Sequence, residues 1–563
     1  MGLRIVTLLL SIPLTFASAE FSGSDYSDAM RMAVKFFGAQ RCGNTYNWML
    51  YENPLDNKDP VKPVCHTKDA HNGHDMSGGW HDCGDHIKVA TTMGYAAICL
   101  LSAYDIWPKA FEDHHDTAYV AKPNGIPDIL DETKVATDYF IKSLIDGDTF
   151  VYYVGDDHDH DRWVTSAFQS TLGTSLGGDP RPVSVSNNAG GAQAADYASA
   201  LALMAMNYPD QAYAEKCKEA AIKLYAFAKA HPTNITIPTF YPSANSDVTD
   251  ELSLAAILLY RLTKTESYKT DAVSAYNGKW ESNAPLAWDT KADIAYYYII
   301  KEAPNTNNGD PNGGSLKSFL AKNVNAGIKG ANSYGIPWGF FKSNWGTNKL
   351  ACGSAYAAAL YAKLIEDGVM TPISGVTADA ANNYTQKIID YMLGANEFKH
   401  PFLHGYKGDM NHRVHHRNAM GRNDNPPTDV KNSASFMFAS GALIGGPASQ
   451  GSFENKIEGG VSYVETESGC DYNGPFIAAM ANLVSKLDPK NSSIRVPKFV
   501  YQNKALNMNS VLKNQSSKIV DIRGRTVEKT SIVNRSGSVS GIYFVQNRGA
   551  DLNSHAIKVL NIR

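Results

Sequence analysis

Apolar residues recur at helical spacing along most of the chain. In segment 250–262 they stand at positions i, i+3, i+4 and i+7, counted from Leu252, which places them on one face of an α-helix. Similar spacing occurs near residues 26–40, 87–104, 127–145, 193–206, 210–230, 291–302, 349–366, 376–393 and 473–486. No apolar runs alternate with these segments as they do in a parallel sheet. The pattern predicts one large all-α domain, and its long Gly-, Asn- and Pro-rich loops are where we expect a functional site.

The pattern changes after Pro489. Residues 489–497 are typical of a linker, while segments 518–523 and 541–546 are rich in β-branched residues and alternate as strands do. The tail over residues 498–563 holds 11 lysines and arginines against 3 acidic residues. We interpret it as a small β-rich unit for export sorting, for surface attachment or for holding acidic polymers. An accessory domain with a solvated basic face fits the same composition.

The N-terminus has the three parts of a secretory signal peptide. Arg4 supplies positive charge, residues 5–16 form an apolar run, and Ala17-Ser-Ala is a small-residue cleavage motif. This predicts a signal peptide over 1–19 and an exported domain over 20–488. No later stretch of ~20 apolar residues predicts a transmembrane span. We therefore expect a secreted protein, or one held at the cell surface through its tail.

Composition narrows the class of protein. The chain has 563 residues, of which 43% are hydrophobic and 19% charged, and a net charge of −4. These values exclude a small disulfide-stapled module, a collagen-like fibre and a disordered chain, and they argue against a nucleic-acid partner. Few charges and 30 tyrosines suit a neutral ligand such as a sugar, although ordinary compositional variation explains them equally well. Seven cysteines cannot all pair internally, so metal ligation competes with disulfide formation.

The densest cluster of chemical side chains runs from Asp75 to His86. Within it, Asp82 and Asp85 stand three residues apart beside glycines that allow a sharp backbone turn. Such a carboxylate pair can hold a water molecule and accept its proton. A calcium-binding loop or a helix cap fits the same spacing.

Two further segments carry candidate chemistry. Within 463–473, either Glu465 or Glu467 can donate a proton if its surroundings raise its pKa, whereas an exposed glutamate is simply solvated. Segment 411–417 concentrates histidines and arginines, which can hold sugar hydroxyls or form a solvated basic loop.

Together these segments resemble glycoside hydrolase family nine, the inverting cellulases. The matching blocks are Gly-Gly-Trp-His-Asp-Cys-Gly-Asp at 78–85, Leu-Gly-Ala-Asn at 393–396, His-His-Arg at 415–417, and a Tyr-x-x-x-Glu-x-x-x-Asp-Tyr-Asn block at 463–473, with further agreement at 40–41 and 124–132. Their order and spacing agree over most of the helical region. The resemblance implies an (α/α)6 barrel, which is consistent with the helical pattern.

The resemblance also implies catalytic roles. Asp85 is expected to be the general base, Asp82 to position the water, and Glu467 to be the general acid. An inverting mechanism places the acid and base carboxyls ~6.5–9.5 Å apart. The residues expected to line the subsites beside the cleaved bond are His415, Arg417 and Tyr472. Trp338, like Trp80 and Trp345, is a candidate platform for sugar rings or a core residue.

Two metal sites are expected. Cys42, Cys65, His66 and His81 form a set suited to tetrahedral zinc, and their motifs resemble those of the family subset that binds structural zinc. Because His81 precedes Asp82, such a zinc would brace the catalytic loop. A Cys42–Cys65 disulfide is the alternative for an exported protein.

A calcium site is the second expectation. Its oxygen ligands, matched to a family calcium site, are Ser246, Asp250, Glu251 and Asp289. Helix capping by Asp250 explains part of the same pattern.

The sequence thus predicts a secreted inverting β-1,4-glucanase that acts on cellulose or related β-glucans and has no organic cofactor. A hydrolase of short cello-oligosaccharides, xyloglucan or mixed-linkage glucan is an alternative, as is a glycan-binding protein without catalysis. The joint presence of Asp82, Asp85 and Glu467 favours an enzyme, because a binding protein needs no such set.

Overall fold

The computed structural model describes residues 21–52, 64–237, 241, 247–275, 284–303, 316–341, 343–409, 414–420, 439–453 and 463–487, and the backbone of 517–521, 541–547 and 557–562. The chain divides into two compact units, residues 1–492 and 493–563. The predicted signal peptide, the predicted linker and the predicted calcium ligand Ser246 lie outside the described residues.

Helices dominate the first unit. In chain order, those in the described residues are α1 Gly23–Gln40, α2 Trp48–Glu52, α3 Ala90–Ile106, α4 Asp128–Ile141, α5 Ser166–Gln169, α6 Gly191–Asn207, α7 Gln211–Ala230, α8 Thr249–Thr263, α9 Glu266–Ala275, α10 Ala292–Glu302, α11 Leu316–Gly330, α12 Thr347–Glu366, α13 Ala378–Met392, α14 Arg417–Met420, α15 Tyr463–Thr466 and α16 Cys470–Leu487.

Six of these helices form a closed inner ring. Each packs against the next in the order α3, α6, α8, α10, α12 and α16, and α16 returns to α3. A second layer surrounds them, in which α1 packs on α16, α4 on α3, α7 on α6, α9 on α8, and α11 and α13 on α12. This double ring is the predicted (α/α)6 barrel.

The two layers differ in how their residues are buried. Nearly every residue of α3 is buried, as expected for an inner helix that is apolar on all sides. The outer helix α7 buries only one face, and its charged residues lie on the other. Most of the largest fully buried side chains are tyrosines, among them three in succession on α10, Tyr296 to Tyr298. The abundance of tyrosine therefore reflects the barrel core in large part, and composition alone says less about a sugar-binding surface than expected.

Strands are few among the described residues of the first unit. They are β1 Ala70–His71, β2 His74–Asp75, β3 Lys88–Val89, β4 Leu144–Ile145, β5 Thr149–Val154 and β6 Val183–Ser186. β1 and β2 form a short hairpin, and β5 pairs antiparallel with β3, β4 and β6. The loop that follows β2 therefore lies between two sheets, because β2 belongs to the hairpin and β3, which begins directly after the loop, pairs with β5.

The second unit contains a three-stranded antiparallel sheet. Its strands are β7 Ser517–Asp521, β8 Gly541–Asn547 and β9 Ile557–Ile562, with β8 in the centre. The first two coincide with the predicted strands, and β9 was not predicted. Among the described residues, no helix is long and apolar enough to cross a membrane.

Candidate active site

The loop that carries Asp82 and Asp85 is held tightly by backbone contacts. The Asp82 N–H donates to the Ile87 carbonyl at 2.9 Å, and the Asp82 carbonyl accepts from the N–H of Cys470 at 3.0 Å. Gly84 lies so close to the next segment that a Cβ there would stand 2.1 Å from the His415 carbonyl oxygen. A side chain at position 84 would therefore push the two segments apart.

Asp82 is buried and both of its carboxylate oxygens are engaged. Oδ1 accepts from the hydroxyl of Thr92, and Oδ2 accepts from the hydroxyl of Tyr241. Burial, with the neighbouring charges of Asp85 and Asp471, raises the pKa of Asp82 to about 8. The two hydroxyls fix the plane of the carboxyl group, so this residue is held in one orientation.

Asp85 is less constrained. Its Oδ2 lies 3.6 Å from Nε2 of His160, while its buried Oδ1 has no hydrogen-bond partner in the described part of the chain. Burial opposes protonation of His160, but its hydrogen bond to Asp85 and the Asp85 charge outweigh that effect and raise the His160 pKa. A carboxylate with one unengaged oxygen can accept a proton from a water molecule.

Glu467 lies at the end of the short helix α15. The indole N–H of Trp345 donates to its Oε2 at 3.2 Å. Burial, together with the charges of Asp85 and Asp82, raises the pKa of Glu467 to about 8. The carboxyl group is therefore mostly protonated at neutral pH, which is the form that can donate a proton.

Three inner helices direct their N-termini toward these carboxyl groups. Thr92 is the third residue of α3, Asp471 the second of α16 and Lys349 the third of α12. Lys349 forms an ion pair with Asp471 at 2.7 Å. The first turns of three inner helices thus meet at this end of the barrel.

A row of rings lies beside Glu467. Ring centroids are 4.5 Å apart between Trp163 and His415, 5.9 Å between His415 and Tyr463, and 5.0 Å between Tyr463 and Trp345. Trp345 and Tyr463 are 43% and 48% exposed, unusual for large hydrophobic side chains. The His415 N–H also donates to the Thr466 carbonyl at 2.9 Å, which joins this row to the segment of Glu467.

The other predicted subsite residues have different surroundings. Arg417 is fully buried, forms an ion pair with Asp159 and lies over the Trp163 ring, so its guanidinium faces the protein interior. Tyr472 is also buried, with the Lys349 ammonium 4.5 Å from its ring centroid. Arg417 and Tyr472 therefore support the site as buried residues.

The tryptophans named from the sequence separate into two groups. Trp80 is fully buried and its indole N–H donates to Glu132 at 3.1 Å, so it is a core residue. Trp338 is half-buried and packs edge-on against Phe341, and no contact joins it to the three carboxyl groups within the described residues. Trp345 alone of the three touches a candidate catalytic group.

Three of the four predicted zinc ligands come together, and the fourth, His66, lies beside them in a second group with Asp69 and Asp179. Ligand atoms of Cys42, Cys65 and His81 all lie within 4.8 Å of one another, and the His66 ring centroid is 5.9 Å from that of His81. Nδ1 of His66 is hydrogen-bonded to Asp179 at 2.9 Å, while its Nε2 is buried without a partner in the described residues. All seven cysteines are unpaired. Two thiols and two imidazoles, one oriented by a carboxylate, fit a tetrahedral zinc site.

The predicted calcium ligands are engaged otherwise. Oδ2 of Asp250 accepts from the backbone N–H of Lys291 at 2.7 Å, and Glu251 accepts from its ammonium at 2.9 Å. The same ammonium lies 2.9 Å from Asp196. At Glu251 the Lys291 ammonium thus takes the place that a calcium ion would have. Asp289 belongs to no cluster of metal-binding groups among the described residues. The calcium site stays a prediction that this arrangement does not support.

Sequence reasoning missed four residues of this site. Thr92 and Tyr241 bind Asp82 from 10 and 159 residues away along the chain, and neither belongs to one of the candidate motifs. His160 lies within the unusual run Asp-Asp-His-Asp-His-Asp at 156–161 and Trp163 follows it, and this run was a usable signal for a site. The common reason is that a side chain bound to a catalytic group need not stand near it in sequence.

An (α/α)6 barrel that has three carboxyl groups at one end, beside exposed aromatic rings, has the architecture of the glycoside hydrolases. The chain belongs to glycosyl hydrolase family 9, whose profile matches residues 26–480.

Known relatives agree with this assignment. Endoglucanase A of Fibrobacter succinogenes is 37% identical over 278 residues, covering 47% of this chain and 60% of that protein. Endoglucanase A of Bacillus pumilus is 27% identical over 491 residues, covering 83% of this chain and 67% of that protein. The chain thus spans about two thirds or less of the length of these relatives. The cellulase Cel9M of C. cellulolyticum in complex with cellobiose matches with a TM-score of 0.67 and 26% identity, over 82% of this chain and 98% of that one.

Proposed function

We propose that this protein is a secreted endo-β-1,4-glucanase that cleaves cellulose or a related β-glucan with inversion of the anomeric carbon. The observation that carries the proposal is the presence of two unlike carboxyl groups within electrostatic range of each other: Glu467, whose pKa is raised to about 8 by burial and in part by the charge of Asp85, and Asp85, which keeps one oxygen unengaged. Such a pair can act as acid and base at the same pH.

The mechanism follows from these groups. Asp85 takes a proton from a water molecule, and Asp82, fixed by Thr92 and Tyr241, orients that water. The water oxygen bonds to the anomeric carbon while the bond to the leaving oxygen breaks. Glu467 gives its proton to that oxygen, so each product carries a complete hydroxyl group.

The substrate class rests on the row of rings. Sugar rings stack their C–H faces on aromatic side chains, and Trp345 and Tyr463 offer exposed faces next to the acid. The site bears few uncompensated positive charges, because Arg417 and Lys349 are paired with Asp159 and Asp471. A neutral glucan therefore suits it better than an acidic polysaccharide, and the cellobiose complex of the relative Cel9M supports a β-1,4-glucan.

The first test is proton NMR of cellohexaose during hydrolysis. We expect α-anomer signals to rise first and β-anomer to follow only by mutarotation, because the water attacks opposite the leaving group. Early β-anomer would contradict inversion. If cellohexaose gave no products while xyloglucan or mixed-linkage glucan was cleaved, the substrate would instead be one of these other β-glucans.

We also propose a structural zinc held by Cys42, Cys65, His66 and His81. The metal would hold the 41–43 and 65–66 segments against the catalytic loop, where the Cys42 N–H already donates to the Gly79 carbonyl at 2.9 Å. It takes no part in the chemical steps, which the carboxyl groups perform.

Metal content distinguishes zinc from a disulfide. We expect about one zinc per chain by elemental analysis, and alkylation of all seven thiols after unfolding without reductant. Cys65→Ser should lose the zinc and melt at lower temperature, because the site loses a ligand. Cys217→Ser, which changes a buried thiol on outer helix α7, should keep the metal. Two fewer reactive thiols in the wild type would support the Cys42–Cys65 disulfide instead.

Secretion rests on the signal-peptide pattern of residues 1–19. We propose that the basic three-stranded tail unit then engages the export machinery or the cell surface. Its strand-rich composition and its division from the barrel as a separate unit support this role.

A further inference from the structure

One buried amide bridges the two halves of the catalytic machinery. Gln40, the last residue of α1, is fully buried. Its Nε2 donates to the carbonyl oxygen of Cys83 at 2.8 Å, and its Oε1 lies 2.6 Å from Nε2 of His416. Both partners are themselves buried, so neither can exchange this amide for solvent.

The direction of these hydrogen bonds is fixed by His416. Its Nδ1 accepts from the backbone N–H of Ala419 at 3.4 Å, so the ring proton is on Nε2 and is donated to Gln40. The Gln40 oxygen therefore faces His416 and its amide nitrogen faces the Cys83 carbonyl. In the reversed orientation, the amide N–H groups would face the N–H of His416, and the amide oxygen would face the carbonyl oxygen of Cys83, so both hydrogen bonds would be lost.

Cys83 and His416, the two partners of Gln40, lie on segments that carry or contact different catalytic groups. Cys83 stands between Asp82 and Asp85, on the loop of the base. His416 follows His415, whose N–H donates to the Thr466 carbonyl next to Glu467. A parallel link comes from the Arg417 N–H, which donates to the Gly84 carbonyl at 2.9 Å. Segment 414–418 is thus held between the loop of the base and the segment of the acid.

This link bears on the reaction because inversion depends on the spacing of two carboxyl groups. Base and acid must stand far enough apart to admit a water molecule and a sugar ring. Loss of the amide would leave a buried carbonyl and a buried imidazole N–H without partners, and the two segments would shift to satisfy them. A displacement of about 1 Å between reacting groups can cost about 10²-fold in rate.

We propose that Gln40 is a positioning residue that fixes the loop of Asp85 relative to the segment of Glu467, acting through the Cys83 carbonyl and the His416 imidazole without touching the substrate. The inference rests on the proposed acid and base. Its signature is a defect in reactions that need both groups at once, and a much smaller defect in reactions that need the base alone.

Two substrates separate these cases. Cellohexaose needs a base and an acid, whereas β-cellobiosyl fluoride needs only the base because fluoride departs without a proton. For Gln40→Met, which keeps the volume and removes both hydrogen bonds, we expect kcat on cellohexaose to fall about 10- to 100-fold with KM within about twofold. On the fluoride we expect a loss of at most about threefold.

The matched control is Asn396→Leu. Asn396 is another buried amide that bridges backbone carbonyls, those of Tyr391 and His400 at 2.8 and 2.9 Å, in a loop that holds no candidate catalytic group. It should lower the melting temperature and leave the ratio of the two rates unchanged. Gln40→Glu, which keeps the shape and the acceptor oxygen, serves as the second variant and should show the same change of ratio to a smaller extent.

Equal losses on both substrates, or none, in either Gln40 variant would overturn the inference, because they would assign Gln40 a purely structural role. Failure of the proposed function looks different. Wild-type enzyme would then leave both substrates intact or release the β-anomer first, whatever residue occupies position 40.

Discussion

Glu467→Gln is expected to lower kcat on cellohexaose by about 10²–10⁴-fold, the range that general acid catalysis contributes. The amide keeps the shape of the carboxyl group and can still meet the Trp345 indole, but it has no proton to give. The sugar must then leave as an unprotonated alkoxide, which is a poor leaving group. KM should change little, because the aromatic rings that bind the substrate are unaltered.

The substrate that needs no acid provides the decisive comparison. On β-cellobiosyl fluoride, Glu467→Gln should keep activity within about tenfold of the wild type, because the base still acts. Glu465→Gln is the matched control: Glu465 is buried and accepts from the Ala448 N–H at 3.1 Å, a role that glutamine can fill. If Glu465→Gln were the inactive variant, the acid would be assigned to the wrong glutamate.

The raised pKa of Glu467 also predicts how kcat/KM depends on pH. Because burial and two neighbouring carboxylates raise the pKa of Glu467 to about 8, the acid form persists through neutral pH and is lost above it. We expect kcat/KM of the wild type on cellohexaose to fall on the alkaline side as Glu467 ionises. On the fluoride this alkaline limb should be absent in both proteins.

Asp85→Ala is expected to lower kcat on both substrates by about 10²–10⁴-fold, because it removes the proposed acceptor of the proton of the attacking water. We do not expect Asp82 to substitute, since the hydroxyls of Thr92 and Tyr241 hold its carboxyl group in one orientation. A loss on the fluoride is what distinguishes the base from the acid.

Sodium azide tests this role directly. Azide attacks without giving up a proton, and truncation to alanine leaves room for it where the carboxylate stood. It should restore turnover of the fluoride by Asp85→Ala and yield the α-glycosyl azide, detected by NMR. Asp161→Asn, which changes an exposed aspartate paired with His158, should stay near wild-type activity. Fluoride hydrolysis by Asp85→Ala at an undiminished rate without azide would refute the assignment.

The sequence predicted the barrel well where its helices have an apolar face. It missed α9, whose only buried residue is Ala272, and α11, whose buried face includes Asn323 and Gly327. Both helices lie in the outer ring, where a weak apolar stripe is enough because the inner ring supplies most of the core. The sheet around β5 was missed because its partners β3 and β4 have two residues each, and a bulge between Val151 and Tyr153 interrupts the alternation.

What the sequence determined by itself is the all-α class, because helical periodicity is a local property. The (α/α)6 barrel and the candidate acid and base were predicted through the resemblance of its short motifs to family nine. Tertiary structure decided the states of those groups. It brought Thr92 and Tyr241 to Asp82, turned Arg417 inward to Asp159, placed Lys291 between Glu251 and Asp196, and set Gln40 between two catalytic segments. Burial, charge and hydrogen bonding depend on neighbours in space, and these partners are separated by up to several hundred residues along the chain.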